Sequence, residues 1–362
     1  MTTVFRWGII STGKIAAVFV KDLRIDPKTR NVDDVVHKVA AVGSRSLETA
    51  QQFIQSIAEG DPSIKAYGSY EEVYADKDVD GIYIGTPHTY HYINALDAIR
   101  AKKHVLCEKP VTSNAAELRA LLAAAKQSGV FFMEAMWTRF QPLPQAVIKI
   151  LETGELGNPV VVHADLSGDF NIQNIPKTHR IIDPALGGGA LLDLGPYPLV
   201  WAIMALYENP RNELAAPSIS ASMLKTELTG VDANTSFTLT FPKISAQAIL
   251  SCSINIHPTS PGVTIRCEKG TIRVAVPIYC SKSFQVEYFG EQGKVVRKEE
   301  KMFDYIGHGM HFEADEVVRC VRDGKAESAL WGHDKSLLEM SLFDEVRKQG
   351  GYSLPPGVEK VV

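Results

Sequence analysis

Three short stretches carry residue types that chemistry can use. Residues 102–111, KKHVLCEKPV, run as an apolar strand into Glu108-Lys109-Pro110, so an ammonium emerges at the sheet edge where doubly wound folds bind ligands. Residues 187–201, GGGALLDLGPYPLVW, form a glycine-rich turn followed by a helix, with Asp193 and Tyr197 at i and i+4 on one helical face. A cation, an acid and a phenol are groups that hold or pass protons. The third stretch, WGIISTGKIA at 7–16, joins a strand to a helix, and on the fingerprint G-x-G-x-x-G/A its three positions are Ser11, Gly13 and Ala16. Gly13 lets backbone amides approach a pyrophosphate, and Ala16 is small enough for close helix-to-strand packing. Ser11 has to make the tight turn with a Cβ present, which it tolerates if φ stays negative.

The second strand ends VAAVGSRS, where an NAD enzyme carries an Asp or Glu for the ribose 2'-hydroxyl and this chain carries Ser44 and Arg45. An acid would repel a 2'-phosphate; arginine offers it fixed donors and positive charge, so the pattern favours NADP over NAD. The alternative for Arg45 is an ordinary solvated arginine. Asp33 stands at the usual spacing from Gly13 but precedes the strand, which puts it at the wrong edge of the sheet. The extra length is attributed to an insertion, RIDPKTRNVDD, ahead of that strand.

Elements that place these residues follow from periodicity. Apolar runs at 4–10, 36–43, 81–85, 104–108 and 130–134 read as strands, and helical spacing at 14–25, 47–58, 70–75, 92–100 and 114–128 separates them. Ser69 and Glu72 form a capping box. Strands alternating with amphipathic helices predict a doubly wound parallel sheet. After residue 152 the runs 159–169, 218–225, 234–241, 246–253, 263–267, 271–276 and 284–288 follow one another mostly through turns, which predicts a large, mostly antiparallel open sheet. Helices are expected at about 190–206, 310–322 and 333–349. The fold class is therefore α/β: an N-terminal Rossmann domain over 1–140 and an α+β domain over 141–362 for substrate binding and dimerisation, whose last helices are free to pack back on the first.

Composition excludes several classes. A net charge of -4 without long like-charge runs gives no footprint for nucleic acid or an acidic membrane. The N-terminus MTTVFRWG lacks signal-peptide character, and on this reading no apolar run approaches bilayer-spanning length, so no membrane association is expected and the reading is cytoplasmic. Five cysteines without a C-x-x-C read as reduced, mostly buried thiols. His88-x-x-His91 and His308-x-x-His311 have a spacing that ligates zinc when helical, but neither sits in a cysteine or zincin frame, and no metal is expected.

Taken together, WGIISTGKIA, GTPHTYHY, HVLCEKPV, FMEAMWTRF and GGGALLDLGPYP, in this order, resemble the glucose-fructose oxidoreductase/inositol dehydrogenase/rhizopine catabolism (Gfo/Idh/MocA) family from Trp7 to about Gly350. Tyr197, where many members carry His, is similar to the branch holding the dimeric dihydrodiol dehydrogenases and the fungal NADP-dependent D-xylose 1-dehydrogenases. The resemblance implies Lys109 and Tyr197 as catalytic pair, with Asp193 nearby. It implies a cofactor site drawn from Ser11, Thr12, Gly13, Lys14, Ile15, Ser44, Arg45, Thr86, Pro87, His88, His91, Glu108, Lys109, Trp137 and Arg139, and a substrate site from Trp137, Arg180, Asp193 and Tyr197. His179, next to Arg180, is a further rim residue; Arg180 has the alternative of pairing with an acid. A cis Lys109–Pro110 bond and a homodimer through the C-terminal sheet are also implied.

Oxidising an alcohol requires a proton to leave oxygen as hydride leaves carbon. A phenol with an ordinary pKa of about 10 serves only if neighbouring positive charge favours phenolate. The expected function is NADP(H)-dependent hydride transfer to or from a small cyclic polyol or aldose, taking a pyranose such as D-xylose to its lactone or oxidising a cyclic trans-diol. The alternatives are an NADPH-dependent ketone or imine reductase of a biosynthetic pathway, or a non-catalytic NADP-sensing regulator.

Overall fold

Short apolar strands need helices to return the chain before they can pair in parallel, and the first unit is built in that way. The computed structural model describes residues 2–362. Its first unit comprises Met1–Trp137, Tyr305–Leu337 and Glu359–Val362; its second comprises Thr138–Asp304 and Leu338–Val358.

In the first unit, β1 (Thr3–Ile10), β2 (Val35–Gly43), β3 (Lys65–Tyr67), β4 (Gly81–Ile84), β5 (His104–Glu108) and β6 (Phe132–Ala135) form a sheet of order β3-β2-β1-β4-β5-β6. Every pair is parallel. The helices are α1 (Lys14–Leu23), α2 (Leu47–Ile57), α3 (Tyr70–Ala75), α4 (His91–Arg100) and α5 (Ala115–Ser128). Side chains set three of these starts: Ser46 caps α2, Ser69 and Glu72 complete the capping box of α3, and the Asn114 side chain accepts from Glu117 N at 2.8 Å to cap α5. The strand order reverses between β1 and β4, and ligands of such sheets bind beyond the carboxyl ends of the strands at that point.

The second unit contains α6 (Pro142–Glu152), β7 (Pro159–Ser167), α7 (Ala190–Leu194), α8 (Pro196–Ala202) and the strands β8 (Ser218–Lys225), β9 (Asp232–Phe241), β10 (Ala246–Ser253), β11 (Val263–Cys267), β12 (Gly270–Val274), β13 (Ser283–Phe289) and β14 (Val295–Met302). The chain closes with α9 (His311–Arg322), in the first unit, and α10 (His333–Gln349). The sheet order is β14-β13-β12-β11-β7-β10-β9-β8, antiparallel except where β7 meets β10. Helices α7 and α8 lie against β7, β9 and β10. They belong to the stretch Pro184–Tyr207, which corrects the sequence reading: by length and composition it is apolar enough to cross a membrane, but its most apolar window is wholly buried. A helix apolar on every side is also what the middle of a core requires.

The segment ahead of β2 that the sequence reading attributes to an insertion contains a 3₁₀ turn, Pro27–Arg30, and it fastens α9 to the parallel sheet. Arg30 grips Asp315 through two bonds of 2.8 and 2.7 Å, and Asp315 also meets His37 Nε2 at 2.8 Å. Trp7 Nε1 donates to His37 Nδ1 at 3.1 Å, so Nδ1 is an acceptor and the proton sits on Nε2, facing the carboxylate. Burial keeps this imidazole neutral by lowering its pKa. Asp34 binds Arg319 and Arg322, with Arg319 foremost in holding its carboxyl far below the usual range.

Glu313, in the first turn of α9, is fully buried and neither of its oxygens has a hydrogen-bond partner among the described residues. Burial, then the like charges of Glu108, Asp22 and Glu134, push its carboxyl well above the ordinary range. An unpaired buried polar group costs roughly 1–3 kcal/mol, so Glu313→Met is expected to stabilise the protein by about that amount. A raised folded-state pKa contributes stability that is present below the unfolded value and lost as pH rises through the folded one. The gap between variant and wild type should therefore be wider at pH 8 than at pH 5 in denaturant titrations. A gap that narrows as pH rises would show that Glu313 is charged in the fold.

Candidate active site

The turn after β1 stands at the strand-order reversal, held by Ser11 N to Gly43 O at 3.3 Å and Gly85 N to Ile10 O at 3.2 Å. Gly13 is the N-cap of α1, with no side chain capping that end, and both Gly13 and Lys14 are exposed. A Cβ on Gly13 would meet only the Ser11 hydroxyl, at 3.4 Å, so packing within the protein leaves the space above it open. Such a helix start suits a pyrophosphate. Thr12 and Ile15 are partly exposed on the same turn.

Ser11 departs from expectation: its φ is +93°, in the region that favours glycine. What compensates is local, because Ser11 Oγ accepts from Gly13 N at 3.2 Å and thereby organises the turn. Removing the hydroxyl while keeping the Cβ, as in Ser11→Ala, should cost about 1 kcal/mol in thermal or chemical unfolding, whereas Ser11→Gly should cost less because it relieves the φ. Equal losses would mean that the hydroxyl bond, not the backbone, dominates.

At the end of β2, Ser44 is buried and its N–H bonds to Tyr67 O at 3.2 Å, while Arg45 is exposed and makes no ion pair among the described residues. Asp33 lies before β2, at the opposite end of the strand from Arg45.

Lys109 follows β5 directly, its peptide bond to Pro110 is cis, and it is 9 % exposed. Two neighbours read from the sequence as cofactor contacts are turned inward instead. Glu108 accepts from the Tyr83 hydroxyl at 2.7 Å, and burial pushes its carboxyl up to about 7. His91 is fully buried, with Nδ1 2.8 Å from Pro110 O and Nε2 2.9 Å from Thr86 O. Both nitrogens are spent on backbone carbonyls, so His91 offers none to a cofactor or a metal. Among the described residues no group of three His, Cys, Asp or Glu side chains is placed to hold a metal ion. Thr86 is buried, with its hydroxyl accepting from Asn94 at 2.9 Å, while Pro87 is exposed and His88 half-buried on the loop after β4. Trp137 is buried at the end of the first unit.

In the second unit, α7 and α8 run on through Gly195, which has helical angles, and carry Asp193 and Tyr197, both buried. Asp232, from β9, fixes their start by accepting from Leu191 N at 2.7 Å and from the Thr235 hydroxyl at 2.7 Å. Gly189, at φ +117°, leaves the space that the Asp232 carboxylate fills. Asp193 pairs with Arg180 at 3.0 Å, so the acid available to Arg180 is the helix acid itself, and half of the Arg180 side chain stays exposed. The Tyr197 ring lies 5.3 Å from that of Tyr279. Tyr279 is held by its carbonyl, which accepts from Thr138 Oγ1 at 2.8 Å and Gln141 Nε2 at 3.1 Å. No periodicity or motif marked Tyr279 or Asp232 in the sequence. Arg139, expected at the cofactor, is instead buried in an ion pair with Glu208 at 3.0 Å. A partner 69 residues away leaves no local trace.

Residues 5–136 match the oxidoreductase family with an NAD-binding Rossmann fold, GFO/IDH/MocA, and residues 145–273 match the GFO/IDH/MocA C-terminal domain. The chain belongs to the GFO/IDH/MocA family. As an oxidoreductase of this family it is 39% identical to D-xylose 1-dehydrogenase (NADP(+)) of Hypocrea jecorina, over 97% of this chain and 93% of that one. It is 35% identical to trans-1,2-dihydrobenzene-1,2-diol dehydrogenase of Danio rerio, over 96% of this chain and 97% of that one. The GFO/IDH/MocA fold is shared with aldose-aldose oxidoreductase from Caulobacter crescentus, with a TM-score of 0.79, 21% identity and coverage of 96% and 98%.

Proposed function

We propose that this chain is an NADP(H)-dependent dehydrogenase of a small cyclic polyol or aldose, oxidising a pyranose such as D-xylose at C1 to the lactone, or a cyclic trans-diol. The observation that carries the reading is likeness along almost the whole of both chains to an enzyme named as an NADP-dependent D-xylose 1-dehydrogenase. The uncapped start of α1 and the exposed, unpaired Arg45 support NADP as cofactor. Ser11, Thr12, Gly13, Lys14 and Ile15 would hold the pyrophosphate, Ser44 and Arg45 the 2'-phosphate, and Thr86, Pro87 and His88 the remainder of the nucleotide. The bound cofactor supplies the hydride acceptor or donor.

Within the reaction, Lys109 holds the substrate oxygen through its ammonium and Tyr197 takes or returns the hydroxyl proton. Asp193, paired with Arg180, sets the charge on the face of the helix that carries Tyr197, and Trp137 and Arg180 contact the substrate. A panel of aldoses and trans-diols, assayed for NADP+ reduction, tests the reading: turnover on at least one pyranose or cyclic diol is expected. Turnover confined to ketones or imines with NADPH would replace it with a biosynthetic reductase, and no turnover with intact NADPH binding would indicate a sensor.

The same reading includes a homodimer through the outer face of the second unit's sheet, in the cytoplasm. On that face β8 presents Ser218, Ser220, Ser222 and Leu224, and β10 presents Gln247 and Ile249, with Leu224 70% and Ile249 44% exposed. Five free thiols, four of them buried, suit a reducing compartment. Sedimentation equilibrium of wild type and Ile249→Arg tests the dimer; a monomeric wild type would refute it.

A further inference from the structure

The loop that carries Lys109 leaves β5 and joins no further strand, so its backbone groups must find partners elsewhere or remain unpaired in the interior. They find buried side chains. The Lys109 N–H bonds to the Glu108 carboxylate. Pro110 O meets His91 Nδ1 at 2.8 Å, and Val111 N donates to Glu134 Oε1 at 3.0 Å. His91 and Glu134 are both within 1 % of full burial. Each is anchored on its far side as well: His91 Nε2 lies 2.9 Å from Thr86 O, and Glu134 Oε2 accepts from Trp331 Nε1 at 3.1 Å and Ser336 Oγ at 2.6 Å.

We propose that His91 and Glu134 form a two-sided clamp on Pro110 and Val111 that positions the Lys109 ammonium for proton and hydride transfer, so that both are positioning residues of the reaction. This rests on the reading of Lys109 given above. A lysine side chain has four rotatable bonds, and its ammonium can be aimed reproducibly only if the backbone it springs from is fixed. Gripping the two following residues from α4 on one side and β6 on the other fixes that origin. The His91 grip also couples the lysine loop to the loop after β4, because a single ring spans Pro110 O and Thr86 O. Both of these are acceptors and a neutral imidazole has one N–H, so the ring donates to one carbonyl at a time and turns its unprotonated nitrogen to the other. Asn94, one turn further along α4, secures the same threonine through its hydroxyl.

The test uses the full chain with NADP+ and D-xylose, or the substrate that the panel selects. His91→Phe keeps a planar ring and removes its N–H donor; it is expected to lower kcat by about 10- to 100-fold while NADPH affinity and KM change by less than about threefold. His91→Gln, which keeps N–H donors, should recover part of the loss. The decisive arm is a Lys109→Met background. A residue that acts through the lysine costs nothing further there, whereas a residue that merely supports the fold costs the same factor in both backgrounds. Undiminished kcat in His91→Phe, or an equal loss in the Lys109→Met background, overturns the clamp. Should His91→Phe fail to fold, His91→Gln and Glu134→Gln are judged by the same criterion. Normal turnover by Lys109→Met alone would refute the role of the lysine and the clamp with it; an inactive Lys109→Met beside fully active His91 variants would refute the clamp only.

Discussion

Lys109→Met and Tyr197→Phe are each expected to lower kcat by about two or more orders of magnitude while leaving NADPH binding near wild type. Methionine keeps the length of the lysine stem and removes its charge; phenylalanine keeps the ring that packs on Tyr279 and removes one oxygen. Both side chains are buried, Lys109 at 9 % and Tyr197 at 7 % exposure, so neither is a solvated residue whose loss the surface would absorb. The physical demand is specific. As hydride leaves carbon, the proton on the adjacent oxygen must go to a group that is positioned for it, and an alcohol without such a group reacts slowly. If the two residues serve one step, the double variant falls little further than the worse single one. Steady-state kinetics with a fluorescence titration of NADPH give both numbers. Normal turnover in either single variant would remove that residue from the mechanism, and multiplicative losses in the double variant would assign the two to separate steps.

Much of the fold was readable because it rests on local signals. The expected strands at 218–225, 246–253 and 263–267 coincide with β8, β10 and β11, and the capping box at Ser69 and Glu72 forms as read. Elements that lack such a signal were missed. Strand β3 has only three residues, too few for a period. Strand β14, VVRKEEKM, is an edge strand whose charges discourage further pairing and also disguise it as a loop. Helix α6 opens with Pro142 and contains Pro144, residues that interrupt a helix interior but suit its first turn, so its start carries no ordinary helical signal.

The site divides along the same line. Residues set by a local turn, such as Lys109 after β5 or Gly13 before α1, could be placed from the sequence. Residues defined by a distant partner could not. Arg139 is placed at the cofactor by the family resemblance alone, and only the fold reveals Glu208 beside it. His91 has the composition of a ligand and the surroundings of a brace, and nothing in GTPHTYHY announces that two carbonyls from different loops converge on its ring. Ser11 was expected at negative φ because the steric rule for a Cβ holds on average; here its own hydroxyl, bonded to Gly13 N, offsets the strain.

Arg45→Ala is expected to raise KM for NADP+ by about 10- to 100-fold while the constants for NAD+ change by no more than a few fold. A charge-assisted hydrogen bond is worth roughly 1.5–3 kcal/mol, and about 1.4 kcal/mol is a factor of ten. The geometry that puts Arg45 in reach is internal to the parallel sheet. Gly43 pairs with Ile10, and its carbonyl accepts from Ser11 N, so the β2 turn that holds Ser44 and Arg45 lies beside the turn that holds Gly13. The guanidinium is exposed and engages no carboxylate among the described residues, so no such ion pair has to be broken before it meets a phosphate. Replacing the cation by an acid reverses the electrostatics: Arg45→Asp should repel the 2'-phosphate and accept from the 2'-hydroxyl of NAD+, turning the preference over. The ratio of kcat/KM for NADP+ to that for NAD+ across wild type, Arg45→Ala and Arg45→Asp is the measurement. A ratio that stays constant through the series would return Arg45 to the solvated surface and leave the 2'-phosphate to another residue.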